Sequence, residues 1–126
     1  MKTTKTDING ILETISHYEA GHALRDVGML ERAFHSEASI VGYGQNGLMY
    51  VRRGEYLESM KGKPGLDPNA ERPELKVRSL NINGATANAT VESIIGGVQY
   101  VSHLSMIRIE GRWSIVNGLF HANTED

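Results

Sequence analysis

Two pairs of polar residues are spaced so that each pair can serve one site: Tyr18 with His22, and Asn117 with His121. The first pair lies four residues apart in a stretch of helical period, which stacks both side chains on one face. The second pair is also four apart, but in a stretch of strand period, which again sends both to one side. A neutral imidazole can take a proton near pH 7, so His22 and His121 are the candidate bases. Tyr100 and Ser102 join Asn117 and His121 on one sheet face if the turn between them is tight, with Leu104, Met106, Trp113, Ile115 and Leu119 as apolar walls. A few polar groups on an otherwise apolar concave face suit an apolar or aromatic small molecule. Tyr43, Tyr50 and Tyr56 add rings that can stack on a flat ligand or pack half-buried. The same polar groups can equally satisfy one another or helix ends with no ligand involved.

Positioning these residues falls to a hairpin from Tyr100 to His121 around Glu110-Gly111, in segments rich in Val, Ile, Leu and aromatics. A tight turn there opposes Arg108 to Trp113, Leu104 to Asn117 and Tyr100 to His121. One face then carries Tyr100, Ser102, Leu104, Met106 and Arg108 with Trp113, Ile115, Asn117, Leu119 and His121. The other carries Val101, His103, Ser105, Ile107 and Ile109 with Arg112, Ser114, Val116, Gly118 and Phe120. Neither face is cleanly polar, so the hairpin needs helices over one side and a partner subunit over the other.

Helices come first along the chain. Asp7 is placed to cap a helix with the stripe Ile8, Ile11, Leu12, Ile15 and Tyr18, and Asp26 a shorter one through Met29, Leu30, Ala33 and Phe34. Ser39 to Tyr43 and Leu48 to Arg52 read as strands around Gly44-Gln45-Asn46-Gly47, followed by a short helix from Gly54 to Met60 that shares Tyr56, Leu57 and Met60 on its buried side. Residues 61–73, rich in glycine, proline and charge, read as a long loop. Leu75 to Ile82 and Ala85 to Ile95 are strands around Asn83-Gly84, and Gly96-Gly97 turns the second into the final hairpin. Helices followed by a meander of long strands predict an α+β architecture, a curved antiparallel sheet folded over helices.

A chain of 126 residues has the size of one domain, 1–126, with residues 1–6 expected to be flexible. Its net charge of -2 gives no electrostatic case for binding nucleic acid or an anionic membrane. The absence of cysteine excludes a thiol nucleophile, a disulfide framework and cysteine-ligated metal. No segment reaches transmembrane length and no signal-like apolar run follows the basic start, so a cytoplasmic protein is expected. His17 and His22 diverge on their helix, His35 reads as loop, and His103 and His121 fall on opposite faces, so neither metal nor cofactor is expected. Gly42-x-Gly44 and Gly96-Gly97 read as turns rather than phosphate cradles, and the adjacent pairs Ser16-His17 and Ser102-His103 diverge too far to act as nucleophile and base.

Four segments carry a resemblance: Tyr18-Glu19-Ala20-Gly21, Leu30-Glu31-Arg32-Ala33-Phe34-His35 before Ala38, Gly111 through Asn117, and Phe120-His121. In this order the chain resembles the nuclear transport factor 2-like (NTF2-like) and ketosteroid isomerase-like superfamily, of cystatin-like fold, and looks closest to its putative lumazine-binding and SnoaL-like polyketide cyclase branch. The resemblance implies a cone-shaped, mostly antiparallel sheet wrapped around three N-terminal helices, a pocket between them, and a homodimer through the outer sheet face. In isomerase-like relatives a tyrosine of the first helix donates a hydrogen bond to a developing oxyanion, and Tyr18 matches it best. Their acidic base falls near Gly42, which has no side chain to take a proton. The branch commonly has Asp-Tyr-Leu in the penultimate strand and lysine near the end of the last, where this chain has Ser102-His103-Leu104 and Gly118.

Two functions stay open on these grounds. One is small-molecule binding, with cofactor-independent isomerase, cyclase or dehydratase chemistry on an enolisable or polycyclic substrate. Tyr18 or Asn117 would then be the oxyanion donor and His22 or His121 the base. The other is a non-catalytic dimerisation or accessory domain with a vestigial pocket.

Overall fold

The computed structural model describes residues 4–123, in which three helices lie against one face of a curved six-stranded sheet. The elements are α1 (Lys5–Leu24), α2 (Val27–Ala33), β1 (Phe34–Gly44), β2 (Gly47–Arg52), α3 (Arg53–Met60), β3 (Lys76–Asn83), β4 (Thr86–Ile95), β5 (Val98–Ile109) and β6 (Arg112–Asn123). Spatially the strands run β2-β1-β6-β5-β4-β3, with β1 and β6 parallel and all other neighbours antiparallel. This is the α+β architecture expected of the sequence. Among the described residues no helix is long and apolar enough to cross a membrane.

Local chemistry accounts for the helix ends. Thr4, not Asp7, is the N-cap of α1, and Asp7 completes a capping box by accepting from the Thr4 backbone. Lys5 and Thr6 therefore belong to the helix rather than to a flexible leader, while positions 1–3 of that expected leader lie outside the described residues. Asp7 also accepts from the Arg108 guanidinium at 2.7 Å and from the Trp113 indole at 3.3 Å, pinning the start of α1 to the last hairpin. The buried line on α1 is Ile11, Ile15 and Tyr18, whereas Ile8 and Leu12 stay exposed on its flank. Asp26 caps α2 as expected, accepting from the Met29 N–H.

The core lies between α1, α2 and the inner face of the sheet, where Ile11, Ile15, Leu30, Leu104, Met106 and Ile115 are fully buried. Each such side chain contributes roughly 1.5–3 kcal/mol of burial.

The last hairpin departs from the simple register. Glu110 and Gly111 form the expected two-residue turn, and Arg108 opposes Trp113. Beyond Met106 and Ile115, however, Ser105 pairs with Asn117, so Val116 is an extra residue in β6. Such a bulge reverses which side chains face inward. Leu104 therefore opposes Gly118 and Tyr100 opposes Ala122. The inner face is Tyr100, Ser102, Leu104 and Met106 with Trp113, Ile115, Gly118, Phe120 and Ala122, and the outer face receives Asn117, Leu119 and His121. His103 and His121 consequently share the outer face instead of opposing ones, and His35 lies in β1 rather than a loop. Gly42 is a strand residue of β1, not part of a turn.

Candidate functional site

A cavity of about 320 Å³ opens between the C-terminal half of α1, α3, the connection from α3 to β3, and the inner face of β4, β5 and β6. The helical spacing of Tyr18 and His22 brings both to its wall, and α3 sends Tyr56 against them from the other side. Tyr18, His22, Phe34 and Tyr56 form an edge-to-face group, with the Tyr18 and His22 ring centres 4.5 Å apart. The sheet supplies Tyr100 and Ser102 from β5, Ser93 and Ile95 from β4, and Phe120 from β6.

The polar groups in this wall are ordered by one another. The Tyr18 hydroxyl is 2.9 Å from Ser102 Oγ, a bond buried between helix and sheet. Burial raises the Tyr18 phenol to about 12, so it stays protonated at neutral pH. His22 Nδ1 lies 2.7 Å from the Tyr18 carbonyl oxygen and Nε2 lies 2.6 Å from the Tyr56 hydroxyl. Burial lowers the His22 imidazole to about 4, and raises the Tyr56 phenol above its usual range. The Tyr100 hydroxyl makes no hydrogen bond within the described residues, and neither does that of Ser93.

Glu19 is the one carboxylate among the described lining residues. Rather than facing solvent, it accepts from Nε and Nη2 of Arg72, at 2.7 and 2.9 Å. Arg72 belongs to the α3–β3 connection, which also lays Pro64, Gly65 and Leu66 along the cavity. The Leu66 N–H donates to the Ala23 carbonyl at 2.8 Å. A side chain at Gly65 would strike the Leu24 backbone, so glycine lets the strap lie directly on α1.

Of the sequence-derived candidates, Tyr18, His22, Tyr56, Tyr100 and Ser102 come together in this wall. Asn117 and His121 do not, because the Val116 bulge turns both outward. Asn117 donates to Ser39 Oγ at 2.8 Å, and His121 is exposed beside Tyr43 and Asn123. Leu119 is 47% exposed for the same reason. Tyr43 of β1 and Tyr50 of β2, at 53% and 73%, have exposed side chains and line no part of the cavity. Leu104, Met106 and Trp113 are buried in the core instead, with Trp113 near the other end of α1 beside Asp7 and Gly10.

Sequence reasoning misses Phe120, Ser93 and the strap from Pro64 to Arg72. The polarity of Asn117 and His121 is the one signal that favours an outward register for them, leaving Phe120 inside. Near Gly42 the position of a relative's acidic base is closed rather than merely empty, because the Phe120 backbone fills the space beside it.

Many solved structures are similar to this chain, three of them as follows. An NTF2-like protein of unknown function from Silicibacter pomeroyi is 23% identical, covering 97% of this chain and 100% of that one, at a TM-score of 0.83. A second, from Shewanella baltica, is 22% identical over 98% and 100%, at 0.82. A protein of unknown function with a cystatin-like fold from Nostoc punctiforme is 17% identical over 99% and 97%, at 0.68. At these identities the likeness shows the fold alone. No curated protein sequence matches the chain. The family model described as "Putative lumazine-binding" matches residues 6–121, nearly the whole chain, and the chain therefore belongs to that family.

Proposed function

We propose that this protein binds a flat, mostly apolar small molecule in the cavity between α1, α3 and the sheet. The observation that carries this reading is the convergence of the Tyr18, His22, Tyr56 and Tyr100 rings on one cavity, with Ile40, Met60 and Ile95 among its apolar walls. A volume of about 320 Å³ lies at the lower end of the ~300–1,000 Å³ typical of such sites. The family's description, Putative lumazine-binding, supports a heteroaromatic ligand.

The same geometry favours binding over proton-transfer chemistry. Glu19 is held by Arg72, and His22 has a weakly basic imidazole whose outer nitrogen is already paired with Tyr56. Neither is poised as a base for a carbon acid. The charged residues of the lining are Glu19, paired with Arg72, and Arg25.

A thermal-shift and calorimetric screen of flat heteroaromatics, steroids and polyketide-like acids tests the proposal. Saturable binding that disappears in Ile95→Trp, which fills the cavity, is the expected result. Failure of every compound would favour the accessory-domain reading instead.

A second copy of the chain is the proposed cover for the outer sheet face, where Tyr43, Leu48, Tyr50 and Leu119 are exposed together. Light scattering would give twice the monomer mass, reduced to the monomer by Tyr50→Glu with Leu119→Glu. A monomer at all concentrations would refute it.

A further inference from the structure

The two nitrogens of His22 meet partners of different kinds. Nδ1 faces the Tyr18 main-chain carbonyl oxygen at 2.7 Å, an atom that can only accept. Nδ1 therefore carries the ring hydrogen. In a neutral imidazole Nε2 is then a lone-pair acceptor, and the group 2.6 Å from it, the Tyr56 hydroxyl, must be the donor. The Tyr56 O–H is thus consumed, and its oxygen has only lone pairs left. Tyr56 lines the cavity, with the Tyr18 and Tyr100 phenols and the Arg25 guanidinium within electrostatic reach of its hydroxyl.

We propose that His22 is a positioning residue that fixes the Tyr56 oxygen as a hydrogen-bond acceptor, so that the cavity selects flat ligands presenting an N–H or O–H at that point. This rests on the small-molecule reading above and narrows it to a ligand class: phenols, lactams and N–H heteroaromatics rather than ethers, esters or N-alkylated rings. A ligand lacking the hydrogen would set its own lone pairs against those of Tyr56. The penalty is the cost of an unpaired polar group in an enclosed site. Ring packing against Tyr18 and Phe34 holds the imidazole in place, and a hydrogen moved to Nε2 would set the bare Nδ1 lone pair against the Tyr18 carbonyl oxygen.

The test uses two matched probes, 2-naphthol and 2-methoxynaphthalene, titrated calorimetrically into the native protein, Tyr56→Phe and His22→Phe. The native protein is expected to prefer 2-naphthol by about tenfold, the worth of one hydrogen bond made or lost. Tyr56→Phe should bring the two affinities together. His22→Phe frees the Tyr56 hydrogen, so the ether should gain relative to the naphthol, whereas a merely structural histidine would weaken both alike. Independently of any ligand or variant, nitrogen-15 NMR of the labelled native protein should show His22 protonated at Nδ1 and bare at Nε2. Equal, saturable binding of both probes to the native protein would overturn this inference while leaving the binding reading intact. Absence of binding by both would overturn the two together, and a hydrogen found on Nε2 would overturn the selectivity argument at its root.

Discussion

The Phe120 carbonyl oxygen lies 2.0 Å from the point that a Cβ on residue 42 would occupy. No real Cβ tolerates that contact, and the atom in the way is backbone of a paired strand, so relief requires β1 and β6 to separate. Gly42→Ala is accordingly expected to destabilise the fold by about 3 kcal/mol, at the upper end of overpacking costs. Urea denaturation would show it as a lowered midpoint at unchanged slope. A midpoint within error of the native one would mean that the strands can part cheaply. Placing an aspartate at 42 would for the same reason disrupt the sheet rather than supply a base.

Asp7 makes acid stability a question of one ion pair. Chiefly through Arg108, and despite burial, its carboxyl is lowered from 3.8 to about 2. A folded-state value below the unfolded one stabilises the native protein above pH 3.8 and loses that contribution as pH falls toward 2. Asp7→Asn should therefore lower the melting temperature at pH 7 and converge with the native protein near pH 2. A gap between the two that stays constant down to pH 2 would contradict the pairing.

His22 has the opposite requirement over a different range. Its imidazole is lowered from 6.5 to about 4, mainly by burial, with Arg25 opposing and Glu19 assisting protonation. The unfolded chain thus binds the extra proton first, and the stability due to the neutral ring, complete above pH 6.5, fades as pH falls to 4. Melting curves of the native protein should decline across that window more steeply than those of His22→Phe. Parallel curves would refute a buried neutral imidazole.

Arg72 fastens the strap to α1, so Arg72→Ala should loosen the chain on either side of it. The Leu66 amide, bonded to Ala23, is the local reporter. Its hydrogen exchange is expected to accelerate about tenfold in the variant, with core amides such as Ile15 unchanged. High salt should reproduce part of the effect in the native protein, since the Arg72 side chain is 23% exposed. Unchanged exchange at Leu66 would show that the backbone bond and Gly65 hold the strap unaided.

Much of this fold is legible in the chain because its punctuation is local. Asp26 caps the second helix and Gly96-Gly97 turns the strand where expected. The Asn83-Gly84 signal also marks its hairpin, although the pairing of Asn83 with Thr86 shifts the turn by one residue. The Val116 bulge is hardly legible, since only the polarity of Asn117 and His121 argues for the outward register that it produces. Its origin is non-local: beside it, β1 advances from Phe34 to Ser39 while β6 advances only from Ile115 to Asn117. That single irregularity removes Asn117, Leu119 and His121 from the site and admits Phe120. Tyr18 and His22 are legible because a helix spacing of four needs no tertiary information. Their meeting with Tyr56 and Ser102 depends on elements 34 and 84 residues away, and the sequence alone does not set that distance.

The parallel pairing of the first strand with the last governs how the chain can be made. On the ribosome β1 has no inner neighbour until β6 emerges, and Asp7 waits 101 residues for Arg108. Until then a nascent chain carries an open strand edge and a helix whose apolar side has no sheet to rest on. The cavity wall is complete only once β6 supplies Phe120, so a chain stalled before β6 would leave that wall unfinished.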